Sequence, residues 1–424
     1  MPHVRSYYAA SCGLIPDRPA LQGTLKADVA VVGAGFTGLS AALDLAEAGY
    51  RVVVLEGQQL GWAASGRNGG QIWTGFSRDM DKIASQVGLD QARALFRLAL
   101  EAKALIHERC KNYAIDCDLR SGLFEAALKP SQHQALIASA DSLAKTYGFT
   151  DYEIEDKAGV GKHVASDSYL GGRFDPTGGH LHPLKYALGL GRACEKRGVQ
   201  LFENTPVIAY EGAPKPLLKT AAGQVRADYI IFAGNTLLQG LVPQIRPYQM
   251  PVGTYMIATE PMAADRAAAL MPSRAAAADC NFALNYYRLS ADHRMLWGGR
   301  VSYSRLAPAS IADSLSAIML RYLPQLEDLK IDYAWGGYIS ITLVRMPHLG
   351  SLDGRCFFAQ GFSGQGVALT GIVGRSLALA VQGNAEKFDV FARVKPHAFP
   401  GLRFVRTPVL VAMMAYYRLL DWLS

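Results

Sequence analysis

The sequence is poor in the features that define several protein classes. Its six cysteines are widely spaced and form no C-x-x-C pair, which excludes a disulfide-stapled scaffold and a zinc ribbon. No stretch reaches the roughly 18 apolar residues of a membrane-spanning helix, and no block of like charges marks a nucleic-acid-binding arm. Charged residues make up 19% of the chain and apolar residues 50%, which is typical of a folded protein.

The ends of the chain bear on its location. Residues 1–8 lack the basic and then apolar pattern of a signal peptide. Together with the scattered cysteines, this predicts a reduced, cytoplasmic setting. The apolar run 408–417 is followed by Arg418. We expect this run to dock on the protein's own core, and peripheral contact with a membrane surface is the alternative.

Glycine is abundant, with 42 positions among 424 residues, where a typical share is about 7%. Many backbone positions are therefore expected to need unusual dihedral angles or close approach to a ligand. The net charge of +7 is a weak indication of an anionic ligand. At roughly 150 residues per domain, the length predicts two or three domains.

The first clear pattern is a βαβ unit. The run ADVAVV at 27–32 predicts a buried strand, and the spacing of apolar residues predicts a helix over 37–48. The run RVVVLE at 51–56 predicts a second strand. Its continuous apolar character is typical of a parallel sheet that is covered on both faces.

A glycine motif, G-A-G-F-T-G at 33–38, lies between the first strand and the helix. Gly33 is predicted to make the tight turn, Gly35 to admit a pyrophosphate, and Gly38 to let the helix pack closely on the sheet. The helix N-terminus offers free N–H groups to phosphates. Glu56, which ends the second strand, is placed to accept hydrogen bonds from ribose hydroxyls and disfavours a 2′-phosphate. The unit therefore predicts a dinucleotide site.

A second loop, ASGRNGGQ at 64–71, distinguishes between two dinucleotides. It combines small polar residues and three glycines with one cation, Arg67. Such a loop can wrap a diphosphate and the chain beyond it. This favours FAD over NAD.

The rest of the chain predicts a second lobe. Residues 90–145 have helical spacing and are expected outside the nucleotide fold. Aromatic and β-forming residues over 247–345 predict a mixed, mainly antiparallel sheet. We predict an α/β fold with a doubly wound parallel-sheet FAD-binding domain (25–85, 150–240 and 346–390), an inserted substrate lobe (86–149 and 241–345) and a C-terminal helical tail (391–424).

These motifs resemble those of a known enzyme superfamily. The fingerprint VVGAGFTGLSAALDLAEAGYRVVVLE, followed by GWAASGRNGGQ, is similar to the amino-acid-oxidase and sarcosine-oxidase superfamily of FAD enzymes. The phrases SYYAAS, YAIDCD, DPTGGHLHPL, NYYRLSADHRMLWGG, RMPHLG and QGFSGQGV resemble the bacterial γ-glutamylputrescine oxidase group, which also includes L-pipecolate oxidases. The resemblance runs from about Ser6 to Tyr417.

The resemblance implies noncovalent FAD and the oxidation of an amine. A hydride would pass from the carbon next to nitrogen to flavin N5, and the resulting imine would hydrolyse. The implied substrate is γ-glutamylputrescine or a related conjugate of polyamine catabolism. The alternative is L-pipecolate, giving piperideine-6-carboxylate in lysine catabolism. Oxygen or a quinone would take the electrons.

The resemblance also implies which residues hold FAD. Val207 would contact the adenine, and the loop 361–367 would approach the pyrimidine edge of the flavin, where backbone N–H groups stabilise negative charge. Relatives often carry a histidine where this chain has Gln365, which puts in doubt a titrating cation beside the flavin. The predicted FAD-binding residues are Gly33, Gly35, Phe36, Thr37, Gly38, Glu56, Gly57, Ala64, Ser65, Arg67, Asn68, Gly69, Gly70, Gln71, Val207, Ala233, Gly234, Gly364, Gln365, Gly366 and Val367.

Three residues are candidates for acting on the substrate. Arg345 could bind a substrate carboxylate through a bidentate pair, and a structural ion pair is the alternative. Tyr286, next to Tyr287, could wall the pocket and orient the amine, with core packing as the alternative. Gln71, at the end of the second loop, is the third candidate.

The residues alone leave other hypotheses about the function open. His180 and His182 alternate as on a strand, and without further ligands they predict structural roles and no metal site. The net charge leaves a nucleic-acid-directed flavoprotein as a rival, although no nucleic-acid partner is expected. A protein that holds FAD without catalysis is a second rival.

Overall fold

The computed structural model describes residues 1–238, 240–281, 284–302 and 308–400, and the side chains of 300–302 are not described. The predicted C-terminal apolar run at 408–417 lies outside these ranges, as does most of the predicted tail. Within the described ranges, no helix combines the length and apolar character needed to cross a bilayer.

The described strands fall into two large sheets. In chain order the strands are β1 (Gly23–Val32), β2 (Val52–Leu55), β3 (Gln71–Ile72), β4 (Arg120–Ala127), β5 (Glu153–Glu155), β6 (Gly171–His180), β7 (Gln200–Phe202), β8 (Ala209–Glu211), β9 (Leu217–Lys219), β10 (Gly223–Phe232), β11 (Met250–Thr259), β12 (Ala276–Asp279), β13 (Tyr286–Leu289), β14 (Met295–Ser302), β15 (Ile331–Ile341), β16 (His348–Ser351) and β17 (Cys356–Gln360).

The helices cover the first sheet and the outer face of the second. In chain order they are α1 (Tyr7–Ser11), α2 (Phe36–Glu47), α3 (Met80–Val87), α4 (Leu89–Asn112), α5 (Pro130–Tyr147), α6 (Pro183–Lys196), α7 (Ala264–Leu270), α8 (Ile311–Tyr322), α9 (Gly366–Val381) and α10 (Glu386–Ala392).

The first sheet contains the βαβ unit that is predicted to bind a dinucleotide. Its strands run in the order β16-β17-β10-β1-β2-β7, and β17, β10, β1, β2 and β7 are parallel. Residues 29–32 of β1 are fully or almost fully buried, as expected of a strand with helices on both faces. The predicted βαβ unit is confirmed as β1, α2 and β2.

The second sheet has the order β15-β11-β14-β13-β12-β4-β6-β3, with β5 at the side of β6. Its pairs are antiparallel, except that β4 runs parallel to β12. Alternate residues of β11 separate the two faces, because Met256 packs in the core shared with the first sheet and Ile257 packs in a core beneath α8. The predicted mixed, mainly antiparallel sheet is confirmed.

Two expectations about the intervening segments need correction. The helical pattern of 90–145 is interrupted by β4, because pairing with β6 and β12 outweighs the alanine-rich local sequence. The helix α4 of this segment packs on α9 and binds α2, so it contacts the first sheet's helices, and its assignment to the substrate lobe stays a prediction. Residues 153–180, predicted within the FAD-binding domain, instead supply β5 and β6 to the second sheet. The other domain boundaries stay predictions.

Candidate cofactor and substrate site

A groove opens where the parallel strands end. It lies beyond the carboxyl ends of β1 and β10, at the N-termini of α2 and α9, and β15 closes one side. Ligands of doubly wound sheets bind in this position. Its free volume, with the open mouth included, is about 860 Å³. The described lining is Gly33, Gly35, Phe36, Thr37, Glu56, Gly61, Trp62, Ala63, Ala64, Ser65, Asn68, Ala233, Gly234, Asn235, Leu237, Ile339, Ser340, Phe362, Ser363, Gly364, Gly366, Val367 and Thr370.

The three glycines of the first motif meet close neighbours. Gly33 has φ +104°, and a Cβ there would lie 3.0 Å from the Cα of Gly234. A Cβ on Gly38 would lie 2.0 Å from the carbonyl oxygen of Gly33, and one on Gly35 would lie 2.9 Å from Oγ of Ser65. At Gly33 and Gly38 the chain can follow this path only without a side chain, and a side chain at Gly35 would displace the Ser65 hydroxyl.

The N-terminus of α2 faces the groove. Gly35 is its N-cap and supplies no side-chain acceptor, and the first turn carries no acidic residue. The Phe36 N–H donates to Oγ of Ser65 at 3.0 Å. The partial positive charge of the helix end is therefore not neutralised by the helix's own residues, which suits a phosphate.

Glu56 forms the acidic edge of the groove. Its carboxylate accepts the N–H of Ala34 at 2.8 Å and the N–H of Gln58 at 2.9 Å. Burial raises the pKa of Glu56, and the two backbone donors oppose that shift. A carboxylate has about four lone-pair positions, so the side chain keeps acceptor capacity for hydroxyl groups.

The second loop is braced internally. The Asn68 amide donates to the carbonyl oxygens of Ala64 and Ser65 at 2.8 and 3.1 Å, and its Oδ1 accepts the Gly70 N–H at 2.8 Å. The Arg67 guanidinium carbon lies 4.1 Å from the centre of the Trp62 ring. Nη2 of Arg67 is buried and has no hydrogen-bond partner, so its N–H groups remain available as donors.

The far end of the groove is formed by the N-terminus of α9. Gln365 is the N-cap, and its Oε1 is buried without a partner. Asn235 ties this end to β10, since its Oδ1 accepts the Gly361 N–H at 3.2 Å. The N–H of Ser363 donates to the carbonyl oxygen of Ser340 at 2.8 Å. The groove is thus framed by both sheets.

Several predicted FAD-binding residues do not line the groove. Gly38 lies beneath it, against the turn at Gly33. Val207 packs at the margin of a core cluster of the first sheet. The rest of this set comprises Gly57, Arg67, Gly69, Gly70, Gln71 and Gln365. Their part in binding FAD stays a prediction.

The three candidate substrate residues also lie off the groove lining. The Gln71 amide is buried and donates to the carbonyl oxygen of Ala277 at 2.9 Å, so it joins β3 to β12. Arg345 is half-buried in the turn after β15, with φ +58°. Tyr286 packs against the second loop, since a Cβ on Gly69 would be 2.7 Å from its ring. Its burial raises its pKa, so the phenol stays neutral.

The two histidines have structural contacts. Nδ1 of His182 accepts the Lys185 N–H at 3.1 Å and caps α6, and its Nε2 lies 3.0 Å from the Ser11 hydroxyl. His180 pairs with Gln71 across the strands. Burial lowers the pKa of each to about 3. In the described part of the chain, no three metal-ligating side chains meet.

Sequence reasoning missed eight lining residues, since Phe362 and Ser363 belong to the loop 361–367 that is predicted to approach the flavin. For Asn235 a signal was present, because it follows Ala233 and Gly234 at the end of a predicted strand. Most of the others come from β15 and from the loop at 61–63, which no local pattern connects to the glycine motif. A second cavity, with about 1410 Å³ of free volume between 86–91 and 393–397, contains none of the predicted residues.

Comparison with known proteins adds to this geometry. A family model described as DAO, FAD dependent oxidoreductase, matches residues 28–380. The chain is 42% identical over 423 residues to the γ-glutamylputrescine oxidoreductase of Escherichia coli strain K12, covering 100% of this chain and 99% of that protein. It is 40% identical over 424 residues to a probable oxidoreductase, OrdL, of Haemophilus influenzae, covering 99% and 97% of the two chains.

Solved structures share the fold. Glycine oxidase from Geobacillus kaustophilus superposes with a TM-score of 0.72 at 21% identity, covering 85% of this chain and 95% of that chain. L-proline dehydrogenase from P. horikoshii superposes with a TM-score of 0.72 at 17% identity, covering 88% and 96%. These two likenesses concern the fold alone.

Proposed function

The chain belongs to the DAO family of FAD-dependent oxidoreductases, and on that basis we propose that it oxidises γ-glutamylputrescine or a closely related polyamine conjugate. FAD is its cofactor, and it acts as an amine-oxidising enzyme. The observation that carries the proposed substrate is the 42% identity to the γ-glutamylputrescine oxidoreductase over 99% of that protein. That span includes the second sheet as well as the dinucleotide-binding sheet. The relatives described above give no support to L-pipecolate.

The groove fits FAD in its chemistry. Glu56 would hold the ribose hydroxyls, the N-terminus of α2 would hold the pyrophosphate, and the loop 64–71 would follow the chain towards the flavin. The unpartnered Nη2 of Arg67 and Oε1 of Gln365 are a donor and an acceptor that a bound molecule can satisfy. We propose that the N-terminus of α9 faces the pyrimidine edge.

The proposed reaction is a two-electron oxidation. When bound, FAD supplies the acceptor for the hydride that leaves the carbon next to the amine nitrogen. The amine R–CH2–NH2 loses two electrons and two protons and becomes the imine R–CH=NH. Water then adds to the imine and ammonia leaves, giving the aldehyde. The electrons pass finally to oxygen or to a quinone.

The chain must favour the neutral amine and exclude bulk water. On the face of the second sheet that carries Tyr286, two glycines admit neighbouring side chains, because a Cβ on Gly298 would lie 2.1 Å from the Tyr286 ring and one on Gly337 would lie 3.4 Å from Cβ of Arg67. We propose that Tyr286 is a positioning residue, because its ring fills the space between Gly69 and Gly298. Roles for Arg345 and Gln71 towards the substrate stay predictions.

The test is an anaerobic titration of the yellow protein, with the long-wavelength flavin absorbance as the readout. We expect γ-glutamylputrescine to bleach the flavin faster than putrescine, the matched control that lacks the γ-glutamyl group. L-pipecolate and glycine are added to separate samples. Bleaching by L-pipecolate and not by γ-glutamylputrescine would overturn the proposed substrate. Repeating the reaction with oxygen or with a soluble quinone identifies the electron acceptor.

We also propose a cytoplasmic location. All six cysteines are free in the structure, which suits a reducing compartment. Peripheral membrane contact through the C-terminal segment is the alternative. Separation of cell membranes from the soluble fraction, followed by detection of the protein in each, tests the two locations.

A further inference from the structure

Arg288 is a buried cation directly behind the second loop. It lies on β13, two residues after Tyr286 and therefore on the same face of the sheet. It is 2% exposed. Its Nε donates to the carbonyl oxygen of Gly69 at 2.9 Å, and its Nη2 donates to the carbonyl oxygen of Leu181 at 2.9 Å and to the Tyr8 hydroxyl at 3.3 Å.

Arg288 differs from the other buried arginines of the described chain. Arg18 binds Glu203 at 3.0 Å, and Arg109 binds Asp44 at 2.9 Å. Within the described residues no carboxylate lies within 4.0 Å of the Arg288 guanidinium nitrogens, which are held by neutral oxygens. A buried charge is costly unless an opposite charge compensates it. The arrangement therefore suits an anionic or electron-rich partner close by.

The contacts of Arg288 fix the loop that faces the groove. A Cβ on Gly70 would lie 3.1 Å from its Nη2 and 2.0 Å from the Leu181 carbonyl oxygen. The Gly70 carbonyl oxygen accepts the Leu181 N–H at 2.9 Å. Asn68, immediately before Gly69, lines the groove. Movement of the guanidinium would therefore move groove-lining backbone.

A second contact holds the same loop at its other end. The Trp335 indole N–H donates to the carbonyl oxygen of Arg67 at 3.0 Å. The Tyr8 ring packs edge-on against Trp335, with ring centres 5.2 Å apart, and the Tyr8 hydroxyl accepts the Arg288 hydrogen bond. We name Tyr8, Arg288 and Trp335 the loop clamp. It joins the N-terminal helix α1 to two strands of the second sheet.

The charge of Arg288 also affects two neighbouring histidines to which it is not hydrogen-bonded. His180 and His182 are neutral in the fold, because burial and, to a smaller extent, the Arg288 charge together lower the pKa of each to about 3. Neither histidine therefore adds a second positive charge. The charge of Arg120 also lowers the pKa of His180, and the charge of Lys185 also lowers the pKa of His182.

We propose that Arg288 is a positioning residue for the FAD-binding loop and that its uncompensated charge raises the reduction potential of the bound flavin. Reduction adds negative charge to the flavin, and a fixed positive charge in a dry site favours that charge. The proposal rests on the FAD cofactor of the family and not on the choice of substrate.

Two substitutions separate the two effects. Arg288→Lys keeps the charge but loses the fork that reaches the carbonyl oxygens of Gly69 and Leu181 together. It is expected to weaken FAD binding about tenfold, with the reduction potential close to that of the unchanged protein. Arg288→Gln removes the charge. It is expected to weaken FAD binding similarly and also to make the potential more negative.

The control is Arg173→Gln. Arg173 lies on β6 of the same sheet, but its guanidinium contacts Glu125, Ser139 and the Tyr152 ring. This variant should change neither the affinity for FAD nor the reduction potential of the bound flavin. The FAD dissociation constant is measured by reconstitution of the apoprotein, and the potential by equilibration with a redox dye, so no substrate is needed.

The outcomes are distinct. A wild-type potential in Arg288→Gln overturns the proposal, as does unchanged FAD affinity in Arg288→Lys. If Arg288→Gln does not fold, Arg288→Lys decides the positioning role. The charge effect is then tested with the double variant Arg288→Met and Tyr8→Phe. The second substitution removes the Tyr8 hydroxyl that would lose its Arg288 partner. The reduction potential of this variant must be more negative than that of the unchanged protein.

Discussion

Arg109 on α4 places its Nη2 2.9 Å from Oδ1 of Asp44 on α2. The other oxygen of Asp44 lies 3.1 Å from Nε of Arg375 on α9. Arg109 is 1% exposed, so this pair is shielded from solvent. The ion pair fastens α4 to two helices of the dinucleotide-binding domain, whose N-termini both reach the groove.

The first prediction concerns this ion pair. Asp44→Ala leaves the buried guanidinium of Arg109 without its carboxylate and should destabilise the protein by about 3–5 kcal/mol. Glu211→Ala is the matched control, because its ion pair with Lys219 joins side chains that are 59% and 46% exposed and such pairs contribute about 0–1 kcal/mol. Urea unfolding measures both. Equal losses in the two variants would contradict the prediction.

The second prediction concerns the glycine turn. Gly38→Ala places a Cβ 2.0 Å from the carbonyl oxygen of Gly33, and α2 must shift away from the sheet. We expect colourless, poorly folded protein, and a bulky residue at Gly35 should have the same result. Gly161→Ala is the control, since nothing lies within 4 Å of its added Cβ. Yellow, active Gly38→Ala protein would refute the assignment.

The third prediction concerns the acidic edge of the groove. Glu56→Ala removes the acceptor for ribose hydroxyls and leaves the N–H groups of Ala34 and Gln58 unpaired. FAD binding should weaken about tenfold to a hundredfold. Glu56→Gln keeps one acceptor oxygen and should lose less. Flavin release during ultrafiltration measures both, and full retention of FAD by Glu56→Ala would place the ribose elsewhere.

The fourth prediction concerns pH. Burial lowers the pKa of His182 from 6.5 to about 3, so the unfolded chain takes up the proton more readily than the folded protein. Its contribution to stability is complete above about pH 6.5 and is lost as the pH falls towards 3. Protonation of Nδ1 would also remove the α6 cap that it provides at Lys185.

His182→Asn tests this prediction, because asparagine is a good N-cap that does not titrate. The decrease in melting temperature between pH 7 and pH 4 should be smaller in this variant. His397→Asn is the control, since this histidine is exposed. An unchanged pH dependence in His182→Asn would show that other groups control acid unfolding.

The local patterns predicted the dinucleotide-binding domain well. The strand at 27–32, the helix at 37–48 and the strand at 51–56 correspond to β1, α2 and β2. The strand, glycine loop and helix at 356–381 correspond to β17 and α9. Each pattern depends on neighbours in sequence, so apolar periodicity and glycine spacing contain the information needed.

The errors fell where distant segments meet. Residues 120–127 have no strong strand pattern, yet β4 pairs with β6 and β12 in the middle of the second sheet. Residues 153–180 also joined this sheet instead of the first. Strand pairing depends on partners far along the chain, and the free energy of that pairing outweighs weak local preferences.

The sequence by itself determined the family, the cofactor and the glycine turn that begins the groove, because these depend on short motifs and on a resemblance along nearly the whole chain. Only the tertiary structure decided which side chains close the groove and which support it. It brought Ser340 and Ile339 to the lining and placed Arg288 behind Gly69. Side chains on β13 and β15 meet the loop 64–71 only after both sheets have formed, so no spacing in the sequence records that contact.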